Sequence, residues 1–414
     1  MNSIAILHAT QLVTLAGPAR PRVGTELSDL TIIEDGGMLV RDGMIARVGD
    51  STEIERELPD GCEIIEAHGR VVLPGFVDAH AHPVFGGTRV DEFEMRVRGA
   101  TYEEIAAVGG GIRSTVQWTR QTNEEELLKE ASSRIRWALR CGTTTMEAKS
   151  GYGLSLEEEL KMLRVIRQLS ENSPMELVPT FLGAHAFPEE FEDRPSDYVS
   201  LVVEEMIPEV VRQGIAEYCD VFYERGYFDR SAARRILTKA KEEGLGLRMH
   251  ADQLTNSGGA VLASEVGTVT ADHLEQTEEE GIAAMRAAGV QPVLLPGSVY
   301  ALGKTRYPRA RSMIEAGLAV VLATDFNPGS SPTLSIPMIL SLAATQMKVT
   351  PAEGVSATTI NAAYSLGRGH QIGSLEKGKA ANFTLFECPD YREIAYWFGF
   401  VQPEMVFARG QRMV

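Results

Sequence analysis

Eight short apolar runs, each followed by a longer segment with helical spacing, constrain the fold of this chain more than any other feature. In the segments between the runs, apolar residues recur three or four positions apart, as at Leu128, Ala131, Ile135 and Leu139. Continuous apolar strands that alternate with helices are typical of a parallel sheet covered by helices. Eight such units predict a TIM barrel, whereas fewer would have favoured a doubly wound open sheet. The eight runs are VVLPGFVD, TTTMEAK, ELVPTFL, CDVFY, GLRMH, TVTAD, QPVLL and AVVLAT.

The two ends of the chain differ from this repeat, because both alternate short strands with turn sequences. The N-terminal part contains EDGG and RDG turns, and the C-terminal part contains IGSLEKGKAANFTLFE followed by EMVFARGQRMV. Neither end could bury a core by itself. We therefore predict that residues 1–66 and 370–414 pair into one small composite β-sandwich domain, and that residues 67–369 form the barrel domain.

The charge balance and the cysteines limit the class of protein. The chain has 57 acidic against 40 basic residues, a formal net charge of −17, which disfavours nucleic acid and anionic membranes as partners. No apolar run approaches the roughly 18 residues of a membrane helix, and the N-terminal residues do not resemble an export leader. The four cysteines form no CxxC pair, so a disulfide framework or thiolate zinc site is not expected. We expect a cytoplasmic protein, in which any small anionic substrate would need a local cation to hold it.

Histidines concentrate at the ends of the predicted strands. His80 and His82 follow the first strand two residues apart, so their side chains point the same way. Alone, such a pair is also compatible with two ordinary surface histidines. A barrel, however, brings the carboxyl ends of its strands to one face, and nitrogen and oxygen ligands of this kind suit zinc or ferrous iron. Five of the eight histidines and one aspartate fall at such ends: His80, His82, His185, His250, His273 and Asp325.

Several long motifs resemble a known family. VVLPGFVDAHAH, RMHAD, ATD and GSLEKGKAAN are similar to the amidohydrolase superfamily. HPVFGGTRVDEFEMR, GATYEEIAAVGGGI, EAKSGYGL, FLGAHA and TDFNPGSSPT resemble, more narrowly, the imidazolonepropionase family. The resemblance spans nearly the whole chain, and its motifs include polar residues that folding alone does not require.

The resemblance implies a cofactor, a substrate and a reaction. One divalent metal ion per chain, zinc or alternatively iron, is implied to bind to His80, His82, His250 and Asp325 and to activate water. Asp325 is also implied to pass the proton of that water to the departing nitrogen. The implied substrate is a small anionic heterocycle, 4-imidazolone-5-propanoate, which is hydrolysed to N-formimino-L-glutamate in histidine breakdown. A homodimer is usual for such hydrolases.

The resemblance also implies the residues that bind the substrate. Arg89 would clamp the propionate, because a guanidinium suits bidentate carboxylate binding, with Arg96 and Arg98 as nearby competitors. His185 would polarise the carbonyl oxygen as negative charge develops. His273 would orient water or substrate and assist proton transfer. The remaining predicted substrate contacts are Tyr152, Gln253, Asn327, Gly329 and Ser330.

Two positions depart from the patterns of related enzymes. Gln253 stands where the family often has an acid, which shifts proton transfer towards Asp325 and His273. Lys149 lies on the second strand rather than the fourth, so we predict no bridging carbamate and a single metal ion. Two other functions stay open at this point: an aromatic-base deaminase of the same superfamily, and a non-catalytic barrel without metal.

Overall fold

Eight parallel strands form a nearly closed barrel in the computed structural model of this chain, which describes residues 3–100, 104 and 109–414. Residues 101–103 and 105–108, inside the run GATYEEIAAVGGGI, lie outside that part. Each predicted apolar run contributes a barrel strand, and the fifth strand is interrupted after its second residue. The barrel strands are Phe76–Asp78, Thr143–Lys149, Glu176–Ala184, Tyr218–Tyr223, Gly246–Leu247 with His250–Ala251, Thr270–His273, Gln291–Leu294 and Val321–Leu322.

Backbone contacts at the carboxyl ends of the first and last strands close the barrel. The amide of Asp325 donates to the carbonyl of His80 at 3.0 Å, and the amide of His82 donates to the carbonyl of Phe326 at 2.8 Å. Three of these four residues are predicted metal ligands. The closure of the barrel therefore brings together the predicted ligands that follow its first and last strands.

Amphipathic helices cover the barrel, as their apolar spacing predicts. In the first long helix, Glu124–Arg140, the side chain of Asn123 accepts a hydrogen bond from the amide of Glu126 at 2.9 Å, which caps the helix start. Ala131 and Ile135 on its inner face are buried. No helix within the described ranges is long and apolar enough to cross a membrane.

The helices and helical turns have the following bounds. The α-helices are Ser51–Glu55, Val90–Val97, Ile112–Gln121, Glu124–Arg140, Leu156–Asn172, Pro195–Leu201, Ile207–Gln213, Arg230–Glu242, Gly259–Val266, Glu279–Ala288, Pro296–Ala301, Ala310–Glu315, Ile336–Met347, Pro351–Thr358, Ile360–Ser365 and Glu393–Tyr396. Short 3-10 turns span Gly24–Ser28 and Glu189–Phe191, and a π-helical turn spans Val202–Met206.

The two chain ends build a second sheet together, which confirms that they form one composite unit. Its core combines Ile6 and Met38 from the N-terminal part with Phe383 and Phe407 from the C-terminal part. The rings of the two phenylalanines stack with centroids 4.4 Å apart. Pairing within this sheet is mostly antiparallel. Its strands are Ser3–Val13, Ile32–Arg41, Met44–Asp50, Glu63–Glu66, Val71–Pro74, Phe383–Phe386, Pro403–Ala408 and Gln411–Arg412.

The sequence predicts that the whole apolar run VVLPGFVD belongs to the barrel. In the structure, the run is divided between the two sheets. Val71–Pro74 pairs with Phe383–Phe386 in the composite sheet, and Phe76–Asp78 begins the barrel. Gly75 joins them, and its amide donates to the carbonyl of Asn382 at 2.9 Å. The chain changes sheets at this glycine, since a Pro-Gly pair interrupts a strand. The domain boundaries at 66/67 and 369/370 stay a prediction.

Replacing Gly75 with alanine is expected to destabilise the protein by about 1–3 kcal/mol, because the new methyl group would overlap the buried side chain of Thr144. Gly49→Ala is the matched control, since the nearest atom there is a flexible carboxylate oxygen of Glu53 at 3.4 Å. Chemical denaturation of both variants measures the difference. Equal stability of the two variants would contradict the close approach of the two sheets at Gly75.

Candidate metal centre

Four predicted ligands from three different parts of the chain converge at the carboxyl end of the barrel. His80 and His82 follow the first strand, His250 lies in the fifth, and Asp325 follows the eighth. Oδ1 of Asp325 lies 3.6 Å from Nε2 of His80 and 3.7 Å from Nε2 of His82. The rings of His80 and His250 have centroids 4.5 Å apart. All four side chains are buried.

Two buried carboxylates lie against the imidazoles of two predicted ligands. Nδ1 of His80 donates to Oδ2 of Asp272 at 2.6 Å, and Nδ1 of His250 lies 3.0 Å from Oδ2 of Asp220. A proton on Nδ1 leaves the lone pair on Nε2, which is the usual arrangement of a histidine that binds a metal through Nε2. Nε2 of His80 is buried without a hydrogen-bond partner among the residues that the structure describes. The site therefore fits a metal ion.

The protonation states of the cluster also suit a cation. Burial lowers the pKa of His80 and His82 well below the usual value, and it lowers the pKa of His250 to about 4. These rings are consequently neutral, as metal ligands must be. Burial raises the pKa of the Asp325 carboxyl to about 7. An ionised carboxylate at this position is costly unless a positive charge lies beside it.

His273 joins the cluster as a further imidazole. Its ring centroid lies 5.6 Å from that of His80 and 5.3 Å from that of His250, and its Nδ1 lies 3.3 Å from Oε1 of Glu275. His273 and Asp325 both have a positive φ, +78° and +53°. Such backbone conformations are uncommon for residues with a side chain and concentrate at functional sites.

Lys149 lies beneath the cluster, where it is paired as an ammonium. Its Nζ lies 2.6 Å from Oδ2 of Asp220 and 2.9 Å from Oε1 of Glu147. Burial would lower the pKa of Lys149, but these carboxylates outweigh it and raise the pKa. Carbamate formation requires a neutral amine. The geometry is therefore consistent with our prediction that Lys149 forms no carbamate.

The cluster lies at the base of a cavity of about 650 Å³ that brings together most of the predicted site. His80 is fully buried beneath it. Of the two predicted competitors of Arg89, Arg96 lines the cavity and Arg98 does not. The predicted residues that line the cavity are His82, Arg89, Tyr152, His185, His250, Gln253, His273, Asp325, Asn327, Gly329 and Ser330. Their individual roles stay predictions.

Arg89 is held in the cavity wall by a buried acid. Its Nε and Nη2 lie 2.8 and 2.7 Å from Oε2 of Glu92. Oε1 of Glu92 accepts from the amide of Gly111 at 3.0 Å and from Oγ of Ser114 at 2.9 Å. A side chain at Gly329 would overlap the guanidinium of Arg89. The glycine thus allows the arginine to approach the loop that follows Asp325.

Tyr152 and His185 form the aromatic wall above His82. The ring of His185 stacks on that of His82 with centroids 5.3 Å apart, and the ring centroids of Tyr152 and His185 are also 5.3 Å apart. Nδ1 of His185 lies 3.0 Å from the carbonyl of Gly151 and must donate to it. Burial lowers the pKa of His185 to about 4, so the ring is neutral and its Nε2 is an acceptor. The predicted polarisation of a carbonyl by His185 would require the doubly protonated ring.

Asn327 shapes the loop after Asp325. Its Oδ1 accepts from the amides of Gly329 and Ser330 at 2.8 and 2.7 Å, and its Nδ2 donates to the carbonyl of Asp325 at 2.6 Å. Oγ of Ser330 lies 3.5 Å from Oδ2 of Asp325. These contacts fix the loop around the aspartate.

Sequence reasoning missed three acids that position the site: Glu92, Asp220 and Asp272. The signal for two of them was present. Asp220 interrupts the apolar strand CDVFY, and Asp272 directly precedes His273 in TADH. An acid within a buried strand requires a partner. Glu92 gave no such signal, because it stands in the mixed polar sequence VDEFEMR.

Comparison with known proteins agrees with this architecture. A model of the amidohydrolase family matches residues 71–413. An imidazolonepropionase of Solibacter usitatus (strain Ellin6076) is 58% identical over 411 residues, with 99% of this chain and 98% of that protein covered. An imidazolonepropionase of Geobacillus kaustophilus (strain HTA426) is 48% identical, with 100% and 98% covered. The solved structure of a triazine hydrolase variant is similar with a TM-score of 0.75 at 15% identity, covering 100% of this chain and 95% of that one, a likeness that shows the fold.

Proposed function

The chain belongs to the amidohydrolase family, and we propose that it hydrolyses the cyclic amide of 4-imidazolone-5-propanoate to N-formimino-L-glutamate, a step of histidine degradation. The observation that carries this proposal is one cavity that joins the ligand cluster to the guanidinium of Arg89. Such a cavity suits a small ring with a carboxylate arm. The full-length imidazolonepropionase relatives support the same substrate.

Amidohydrolases depend on a metal, and the predicted ligands favour zinc or iron over magnesium or calcium. Three neutral imidazoles and one carboxylate suit zinc, with iron as the alternative. We propose one zinc ion per chain on His80, His82, His250 and Asp325. When bound there, the ion acts as a Lewis acid and makes water a strong nucleophile at neutral pH.

Asp325 is the proposed proton carrier. Its Oδ1 faces the ligand imidazoles, and its Oδ2 faces Ser330. We therefore propose that Oδ2 accepts a proton from the attacking water and donates it to the ring nitrogen as the carbon–nitrogen bond breaks. Water adds to the ring carbonyl carbon, and the ring nitrogen leaves with that proton. The ring opens to a carboxylic acid, which then ionises to a carboxylate.

The cavity wall orients the substrate. Arg89 binds the propionate through the donors that Glu92 leaves free, and Tyr152 donates a hydrogen bond from its buried phenol. The neutral ring of His185 accepts a hydrogen bond from a ring N–H of the substrate at Nε2. Gln253 stands beside the ring nitrogens, and the loop of Asn327, Gly329 and Ser330 closes the opposite side.

The setting of the enzyme is part of the same proposal. The substrate is a small anionic molecule rather than a nucleic acid or a membrane, in keeping with the net charge of −17. A cytoplasmic location agrees with the free cysteines in the structure. A homodimer stays the expectation that the family resemblance implies.

Metal content and turnover measured on one sample test the proposal. The purified protein is expected to hold one metal ion per chain and to convert imidazolonepropionate, and removal of the metal by a chelator is expected to abolish turnover until zinc or ferrous iron is returned. His250→Ala should lower both metal content and turnover. His370→Ala, which removes an exposed histidine that belongs to no candidate metal cluster of the described residues, should change neither.

Three results would count against the proposal. Two metal ions per chain would contradict the single site, and a metal-free protein with an intact fold would indicate a non-catalytic barrel. Retention of metal and turnover in His250→Ala would contradict the ligand assignment.

A further inference from the structure

A cluster of charged side chains fills the barrel interior directly beneath the metal centre. TIM barrels usually fill this space with bulky branched apolar side chains, but here two cations and three carboxylates occupy it without exposure to solvent. Nζ of Lys149 lies 2.9 Å from Glu147, and Nε of Arg248 lies 3.0 Å from the same carboxylate oxygen. The members of this interior cluster are Glu147, Lys149, Asp220, Arg248 and Asp272.

Stability is a weak explanation for such a cluster. Burying an ion is costly, and buried ion pairs contribute little more than well-packed apolar side chains of the same volume. Carboxylates outnumber cations in the cluster, so it is not neutral by itself. A divalent cation above it would supply positive charge. The arrangement therefore points to a role in the site above.

Lys149 contacts both carboxylates that hold ligand imidazoles. Its Nζ lies 2.6 Å from Oδ2 of Asp220 and 3.8 Å from Oδ2 of Asp272. The same oxygen of Asp220 lies 3.0 Å from Nδ1 of His250, and the same oxygen of Asp272 accepts from Nδ1 of His80 at 2.6 Å. One ammonium is thus one carboxylate away from two of the four predicted ligands.

Arg248 shares Glu147 and Asp272 with Lys149, but its hydrogen bonds go to backbone carbonyls. Its Nη1 donates to the carbonyl of Ser365 at 3.0 Å, and its Nη2 donates to the carbonyl of Ala79 at 2.8 Å. Its approach to Asp272 is 3.8 Å. Arg248 therefore ties the barrel backbone together, whereas the hydrogen bonds of Lys149 end on carboxylates.

We infer that Lys149 is a positioning residue of the metal centre, which holds Asp220 and Asp272 so that they fix the rings of His250 and His80. This inference rests on the metal site of the proposed function. Groups that orient ligating histidines typically change metal affinity by about 10–100-fold when they are mutated. Lys149 acts one contact further away and on two ligands at once, and we expect an effect in the same range.

Metal affinity and a spectroscopic signature of ligand geometry test the inference. Zinc affinity is measured on the metal-depleted full chain by competition with a chromophoric chelator, and the visible spectrum is recorded after loading with cobalt(II). Lys149→Met is expected to weaken zinc binding about 10–100-fold and to alter the cobalt spectrum. Arg248→Met, which removes the same charge from the same cluster, is expected to lower the melting temperature and to leave both metal readouts close to those of the unchanged chain.

A second pair of variants covers a failure of Lys149→Met to fold. Lys149→Met combined with Glu147→Gln removes a cation and an anion together and should give the same metal readouts. If neither lysine variant can be purified, Asp220→Asn tests the carboxylate through which Lys149 acts on His250. This variant keeps Lys149 and the side-chain volume, and it should weaken zinc binding; unchanged zinc affinity would overturn the inference.

The outcomes separate the inference from the proposed function. If a folded Lys149→Met variant kept the zinc affinity and the cobalt spectrum of the unchanged chain, the inference alone would be overturned. The same holds if Arg248→Met lost as much zinc affinity as Lys149→Met. An unchanged chain that binds no zinc at all would overturn the proposed function and this inference with it.

Discussion

Changing Asp325 to asparagine is expected to lower kcat by about 10²–10⁴-fold, because the variant loses the carboxylate that we propose accepts and returns the proton. Asparagine tolerates the left-handed backbone that Asp325 adopts, φ +53°, and it can keep the loop in place. Steady-state kinetics with imidazolonepropionate and metal analysis of the same sample measure the effect. A loss of kcat greater than the loss of bound metal is the expected result.

Asp252→Asn is the matched control for this change. Asp252 is also buried at the barrel mouth with a positive φ, +51°. Its carboxylate, however, accepts from the amides of Gly259 and Ala260 and from Oγ1 of Thr277. We expect this variant to lose stability and to keep kcat. Similar kcat values for the two variants would refute the role of Asp325 in proton transfer.

Replacing Arg89 with methionine is expected to lower kcat/KM by about 10²–10³-fold, because a propionate in the cavity would lose its charged partner. Metal content should stay at one ion per chain, since Arg89 is not a ligand. A ring without the carboxylate arm should show little difference between the variant and the unchanged chain. This contrast separates a carboxylate clamp from damage to the metal centre.

Two further variants serve as comparisons for Arg89→Met. Arg98→Met removes an exposed guanidinium that follows the helix Val90–Val97 and pairs with Glu94 of that helix, and it should leave kcat/KM unchanged. Glu92→Gln keeps the charge of Arg89 but weakens the ion pair that holds its guanidinium. We expect a higher KM and a smaller loss of kcat/KM than in Arg89→Met. If Arg89→Met kept full activity on the anionic ring, Arg96 in the same cavity would become the better candidate for the clamp.

Local sequence patterns were sufficient to predict the barrel and to predict that the proposed ligands lie close together. Each apolar run contributes a strand to the barrel, since continuous burial and helical spacing are properties of neighbouring residues. Barrel geometry then determined that residues after different strands meet at one rim, and His80 and Asp325 meet there. The type of each ligand was also readable, since an imidazole and a carboxylate keep their chemistry in any fold.

The supports of those ligands were decided only in three dimensions. Asp272 is 192 positions from His80, and the sequence around neither residue indicates that one orients the other. The sequence predicted only that Lys149 forms no bridging carbamate, because its strand indicated its position but not the carboxylates that face it across the barrel. Likewise, VVLPGFVD is one apolar run in the sequence, and only pairing with Phe383–Phe386 assigns its first half to another sheet. Periodicity reports whether a side chain is buried, whereas the partner it is buried against depends on how distant strands close around it.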